Sequence, residues 1–194
     1  MIMEKNELYP VFLKVHELNV LLVGAGQVGH EKLSFLLKSS PNAKVIVVAP
    51  DFSDEVRTLA EKHHIPMLYR PYSTNVLHKK HLVIAATNDP EVNRQICEDA
   101  RARNILVNVA DTPDLCDFYL GGIVTKGNVK IAISTNGKSP TMAKRLRQLF
   151  EEIIPDDINE LVENLNRYRS TLRESFEEKV EKLNHVTRSF IQKS

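Results

Sequence analysis

The sequence predicts an α/β fold: a parallel sheet flanked by helices, then a small β-hairpin region and a helical C-terminal domain. Three observations predict it. Short aliphatic runs rich in Val and Ile recur between Leu18 and Asp111 and alternate with stretches in helical period, as strands covered on both faces by helices do. A glycine-rich turn joins the first of these runs to the first helical stretch. After Asp111 two strand-like runs flank a turn signal and a polar helical stretch follows, so the crossover pattern ends there.

Taken in order, the strands are "LNVLLVG" (18–24), "KVIVVAP" (44–50), a weaker "MLYR" (67–70), "HLVIAAT" (81–87) and "NILVNVA" (104–110). Helices fill 28–39, 53–63 and 89–102, where apolar residues fall three and four apart, as in Val92, Ile96 and Ala100. Asn88, Asp89 and Pro90 form a helix start with Pro in the first turn. "FYLGGIV" and "NVKIAIST" flank "TKGN", which predicts an antiparallel hairpin. "GKSPTMAKRLRQLF" then starts a helix with Ser139 as cap and Pro140 at its first position. From Asp156 onward one apolar stripe is expected through Leu161, Leu165, Tyr168, Leu172, Phe176, Val180, Leu183, Val186 and Phe190. Boundaries are expected at 112 and 155 of the 194 residues.

Composition narrows the function classes. Lys and Arg number 26 against 25 Asp and Glu, so global charge gives no reason to expect nucleic acid or an anionic membrane as partner. No apolar run approaches the roughly 20 residues of a membrane span, and "MIMEKNELYP" lacks a signal-peptide core, which favours the cytoplasm. The two cysteines, Cys97 and Cys116, show no zinc or disulfide spacing and are expected as buried free thiols. His63, His64, His78 and His81 have no matching carboxylate or cysteine spacing and are expected at the surface, so no resident metal site is expected.

"VGAGQVG" supplies Gly24, Gly26 and Gly29 as G-x-G-x-x-G between a strand and a helix. In that context the first glycine permits the turn, the second lets the backbone approach a pyrophosphate, and the third permits close helix packing. The helix start adds unpaired N–H groups for the phosphates. The fold is therefore expected to be Rossmann-like. Asp51 lies 22 residues after Gly29, near the roughly 20 expected for a carboxylate on the adenosine ribose, which favours NAD over NADP. Thr87, Asn88 and Asn108 end neighbouring strands and are candidates for the cofactor's far half; as turn formers they need no ligand.

The combination "YPVFLKVHELNVLLVGAGQVGHEKLSFLL", "VVAP", "HLVIAATND", "VNVAD" and "IAISTNGKSPTMAKRLR" resembles the precorrin-2 dehydrogenase family of siroheme biosynthesis, some members of which are also sirohydrochlorin ferrochelatases. The resemblance covers residues 9–155. It implies an NAD-binding domain (1–112), a dimerisation region (113–155) and a helical C-terminal domain (156–194), assembled as a homodimer. It also implies oxidation of precorrin-2 to sirohydrochlorin with NAD as acceptor, Fe(II) entering only as a chelatase substrate. By position, Gln27, Val28, Pro50 and Asp51 match cofactor contacts, and Asp111 matches the residue regarded as catalytic. The family often has Ala where this chain has Gly29, and two serines where it has Ser134 and Thr135.

The chemistry suits these residues. Removing two hydrogens from a reduced tetrapyrrole needs a hydride acceptor and a base, and a strand-end carboxylate such as Asp111 is suited to the proton. A polycarboxylate substrate calls for local cations, for which Lys138, Ser139, Lys144 and Arg145, with Arg147, at a helix start are the candidates. Two other readings stay open at this point: an NAD-sensing regulatory module without catalysis, and an NAD-dependent dehydrogenase of another small substrate.

Overall fold

Four parallel pairings build the main sheet. In the computed structural model, which describes residues 6–188, β1 (Asn19–Val23) pairs with β2 (Lys44–Ala49) and β4 (Leu82–Ala85), β2 with β3 (Met67–Tyr69), and β4 with β5 (Leu106–Val109). The strand order is β3-β2-β1-β4-β5, the doubly wound order of a Rossmann-like fold, with its reversal between β1 and β4.

Alternation along each strand divides the core into two layers. Val20 and Leu22 of β1 join Leu33 and Leu37 of α1 (Gln27–Ser39) and Val56 and Ala60 of α2 (Asp54–Lys62) on one face. Leu21 and Val23 join Ile96, Cys97 and Ala100 of α3 (Pro90–Arg101) on the other. Leu21, Val83 and Val107 are fully buried, as continuous aliphatic strands between two helix layers should be.

Helix ends follow the local chemistry. The Ser53 side chain accepts from Val56 N–H to start α2, and Asp89 accepts from Glu91 and Val92 N–H to start α3 with Pro90 in its first turn. After α2 and α3 the chain turns through left-handed His64 (φ 54°) and Asn104 (φ 56°). The N–H groups of Ile65 and Ile105 then reach back to the carbonyls of Ala60 and Ala100, as in a Schellman ending.

The chain divides into two compact units. The first runs to Gly121 and takes in Ser134–Ser139; the second comprises Gly122–Ile133 and the chain from Pro140 on. In the second, β6 (Gly122–Lys126) and β7 (Val129–Ile133) form an antiparallel hairpin, with Gly127 (φ 56°) opening its two-residue turn. The hairpin packs on α4 (Pro140–Ile153), where Gly122 lies close to Ala143 and Arg147. Lys126 Nζ donates to the Ile154 carbonyl at 2.5 Å and to Asp156 at 2.6 Å, tying the hairpin to the negative end of α4. Asn159 Oδ1 accepts from Asn128 N–H at 2.8 Å and covers the turn.

The C-terminal stripe is not one helix. It breaks into α5 (Ile158–Thr171) and α6 (Phe176–Val186) because Ser175 and Glu178 form a capping box that starts a new helix. Leu172 lies in the break, and Phe190 lies outside the described residues. Among the described residues no helix is long and apolar enough to cross a membrane.

Candidate functional site

Because every strand of the main sheet runs the same way, the turns after β1, β2, β4 and β5 emerge along one edge. The register carries through the strand ends: Gly24 N–H donates to Val48 O at 2.9 Å, Ala86 N–H to Val23 O at 2.8 Å and Ala110 N–H to Ala85 O at 2.9 Å. Ser53 N–H reaches Ala25 O at 3.0 Å. Gly24, Gly26, Gln27, Asp51, Thr87, Asn88 and Asp111 are thereby gathered on this edge, where ligands of parallel sheets bind.

The three glycines of the first turn are glycines for different reasons. Gly24 has φ 104°, and a Cβ there would lie 2.3 Å from the Ala86 carbonyl oxygen. A Cβ on Gly29 would lie 2.2 Å from the Gly24 carbonyl oxygen, so the residue sets how closely α1 meets the turn. The alanine common at this position in the resembling family would collide here. Gly26 is exposed, has an ordinary φ of −87°, and a Cβ on it would meet nothing within 4 Å. The chain itself does not need glycine at 26; a ligand lying on that backbone would. The start of α1 has no side-chain cap and no acidic residue in its first turn, leaving its N–H groups to an anion. A dinucleotide pyrophosphate fits these residues.

Around this loop, Gln27, Pro50 and Asp51 are exposed and Val28 is half-buried. Thr87 is half-buried and committed to its own loop, its Oγ1 lying 2.8 Å from Asn93 Oδ1 and accepting from Asp89 N–H at 3.2 Å. Asn93 Oδ1 also accepts from Thr87 N–H, and its Nδ2 donates to Thr87 O at 3.0 Å. Asn88 stays exposed at the tip of this pinned loop. Asn93 was not anticipated from sequence. The available signal was a polar residue on the buried face of α3, in line with Ile96, Cys97 and Ala100.

The segment after β5 folds back along that edge strand. Asp117 N–H donates to Val107 O at 2.8 Å, and the Asp117 carboxylate accepts from Val107 N–H at 3.0 Å. Arg101 holds the other carboxylate oxygen at 2.9 Å. Asn108, 6% exposed, directs its amide nitrogen to Phe118 O at 2.8 Å and to Cys116 Sγ at 3.4 Å. Backbone and side chains of this segment thus pair an edge that would otherwise be open. Asp111 sits exposed in the turn between, left-handed at φ 56°. Asn and Asp tolerate that conformation best among non-glycine residues, and such residues gather at functional sites. Cys97 is buried as expected, whereas Cys116 is only half-buried; burial pushes both thiols up from their ordinary value.

The expected substrate cations do not form one cluster within either unit. Lys138 and Ser139 belong to the first unit, Lys144 and Arg145 to the second. Lys138, Lys144 and Arg145 are exposed, Arg145 lies 3.0 Å from Gln148, and Arg147 is paired with Glu151 at 2.5 Å. Thr135 Oγ1 accepts from Ser139 N–H at 3.2 Å and donates to Ser139 O at 3.0 Å, closing the loop ahead of α4. Ser134 Oγ accepts from Asn136 N–H at 3.2 Å. Two open hollows of about 540 and 290 Å³ lie at the opposite edge of the sheet, around His78, Lys79 and Arg103 and around Lys44, His63 and His64. We place the functional site at the strand-end edge, where the glycine turn and Asp111 lie. Among the described residues no group of three or more His, Cys, Asp or Glu is placed to hold a metal.

The fold and this edge define a nucleotide-binding protein of the parallel-sheet class. Residues 11–122 match a family model described as "Putative NAD(P)-binding", and residues 126–153 match one described as "Sirohaem biosynthesis protein central". The chain belongs to the family that the first of these models describes, a putative NAD(P)-binding one. It is 39% identical over 168 residues to a siroheme synthase of Pseudoalteromonas atlantica, covering 87% of this chain and 36% of that protein. It is 37% identical over 165 residues to a siroheme synthase of Psychrobacter cryohalolentis, covering 85% and 31%. The chain thus spans about a third of the length of these curated relatives. A solved structure titled "SirC, precorrin-2 dehydrogenase" shares the fold, with a TM-score of 0.76 at 23% identity over 92% of this chain and 89% of that one.

Proposed function

We propose that the protein oxidises precorrin-2 to sirohydrochlorin with NAD, in the cytoplasm, as a homodimer. The observation that carries the reading is the pairing, on one sheet edge, of a glycine turn shaped for an external ligand with Asp111 in a strained turn. Similarity to siroheme synthases and to the fold of a precorrin-2 dehydrogenase supports the choice of substrate.

In this reading Gly24, Gly26 and the open N–H groups of α1 hold the pyrophosphate, with Gln27 and Val28 beside it. Asp51, with Pro50, takes the adenosine ribose hydroxyls and repels a 2′-phosphate, which selects NAD over NADP. Thr87 and Asn88 line the far half. Bound NAD supplies a hydride acceptor. Asp111 takes the proton lost from the macrocycle as the carbon–hydrogen bond gives up its hydride, so two electrons and two hydrogens leave the substrate together. Lys138 and Ser139, in the same unit as Asp111, meet substrate carboxylates.

The experiment is anaerobic incubation of the purified protein with precorrin-2 and NAD, followed spectrally for NADH and sirohydrochlorin, with Fe(II) added afterwards to test chelation. No NADH formation beside an active control refutes the dehydrogenase reading. Asp111→Asn is expected to lower kcat by about a hundredfold or more while NAD still binds; a near-normal rate removes Asp111 from the base role.

A further inference from the structure

We propose that Cys116 is a positioning residue for the reaction: its thiol staples the turn Val109–Thr112 and thereby holds Asp111 in the left-handed conformation that presents its carboxylate at the strand-end edge. This rests on the proposed role of Asp111.

The geometry is a four-way clamp on a single sulfur. Cys116 Sγ accepts from Val109 N–H at 3.3 Å and from Asn108 Nδ2 at 3.4 Å. On its other side it lies 3.2 Å from Val109 O and 3.4 Å from Thr112 O, to either of which it donates its one proton. The residues on both sides of Asp111, Val109 before and Thr112 after, are therefore tied to the same atom. Within the turn, Thr112 N–H reaches Val109 O at 3.3 Å and Thr112 Oγ1 reaches Ala110 O at 3.3 Å, while backbone bonds from Ala110 N–H to Ala85 O at 2.9 Å and from Leu115 N–H to Thr112 O at 3.0 Å hold its two flanks.

The clamp is itself anchored. Cys97 Sγ donates to Leu115 O at 3.6 Å, and Asp117, held by Arg101, fixes the next residue against Val107. Sulfur suits the place because it is soft and large and accepts hydrogen bonds at long range. Burial keeps the thiol protonated, and a protonated thiol retains the donor that a thiolate would lack.

The test compares Cys116→Val, which keeps the volume and removes the hydrogen bonds, with Cys116→Ser, which keeps a donor and acceptor at the same place on a shorter arm. Expected for Cys116→Val is a fall in kcat of roughly tenfold to a hundredfold, with KM for NAD little changed and a smaller loss in Cys116→Ser. In the Asp111→Asn background the same substitution is expected to have almost no further effect on kcat, because it acts through Asp111. A crystal structure of Cys116→Val is expected to show Asp111 outside the left-handed region. That readout is independent of activity, so it tests the clamp even if the dehydrogenase reading fails. An unchanged turn in Cys116→Val, or equal losses with no recovery in Cys116→Ser, overturns the proposal. If Cys116→Val does not fold, Cys116→Ala takes its place with the same expectations.

Discussion

At the scale of single residues, the glycine turn separates what the fold needs from what a ligand needs. Gly24 and Gly29 are confined by backbone atoms 2.3 and 2.2 Å from where a Cβ would sit. Gly26 faces open space. Gly24→Ala is therefore expected to destabilise the protein by more than ~2 kcal/mol, since backbone rather than a movable side chain blocks the methyl. Gly26→Ala is expected to leave the melting temperature unchanged and weaken NAD binding by about tenfold or more, ~1.4 kcal/mol. Calorimetry and nucleotide titration of the two variants measure both effects, and a destabilised Gly26→Ala protein would contradict the assignment. The motif was legible from spacing alone. The division of labour within it was not, because it depends on Ala86, which lies far along the chain and meets Gly24 only across the sheet.

At the scale of elements, two carboxylates at helix ends give the second unit its acid sensitivity. Hydrogen bonds from the Ser175 backbone and side chain hold the Glu178 carboxyl below its ordinary 4.5. The Lys126 ammonium does the same for Asp156, below 3.8. A carboxyl with a depressed folded-state pKa contributes stability that is fully present above its unfolded value and is lost as pH falls through the folded one. Acidification is therefore expected to loosen α6 below about pH 4.5 and the hairpin tie only below about pH 3.8. Glu178→Gln should flatten that dependence for α6, which hydrogen exchange as a function of pH would show. The helix break itself had a sequence signal, the S-x-x-E of Ser175 to Glu178. An apolar stripe that continues in step through Leu172 and Phe176 masks it, because hydrophobic period reports a face and not where a helix stops.

At the scale of the whole molecule, the second unit leaves a row of apolar side chains of α4 exposed. Met142, Leu149 and Ile153 of α4 are 53%, 48% and 58% exposed, and they lie along one side of the helix at spacings of seven and four. A two-stranded hairpin is marginal alone, and such a stripe calls for a covering surface. In the homodimer proposed above, a second copy supplies it. Leu149→Glu is expected to convert the protein to a monomer in light scattering coupled to size exclusion; an unchanged mass would place the interface elsewhere.

Local chemistry determined much of this protein from sequence alone. The aliphatic runs, their alternation with helices, the glycine turn, the Asp89 and Pro90 helix start and the Gly127 hairpin turn all depend on residues close together in the chain. Tertiary structure decided how the loop after β5 is used. Cys116 and Asp117 look like a thiol and a carboxylate awaiting a role, and only when the segment folds back on β5 do they become the partners of Val109 and Val107. Asn108, bonded to Phe118 O, likewise acts across a span that no periodicity reports. Hydrogen bonding between distant segments is set by the packed fold, so the strand end that presents Asp111 was legible in the sequence and the clamp that holds it was not.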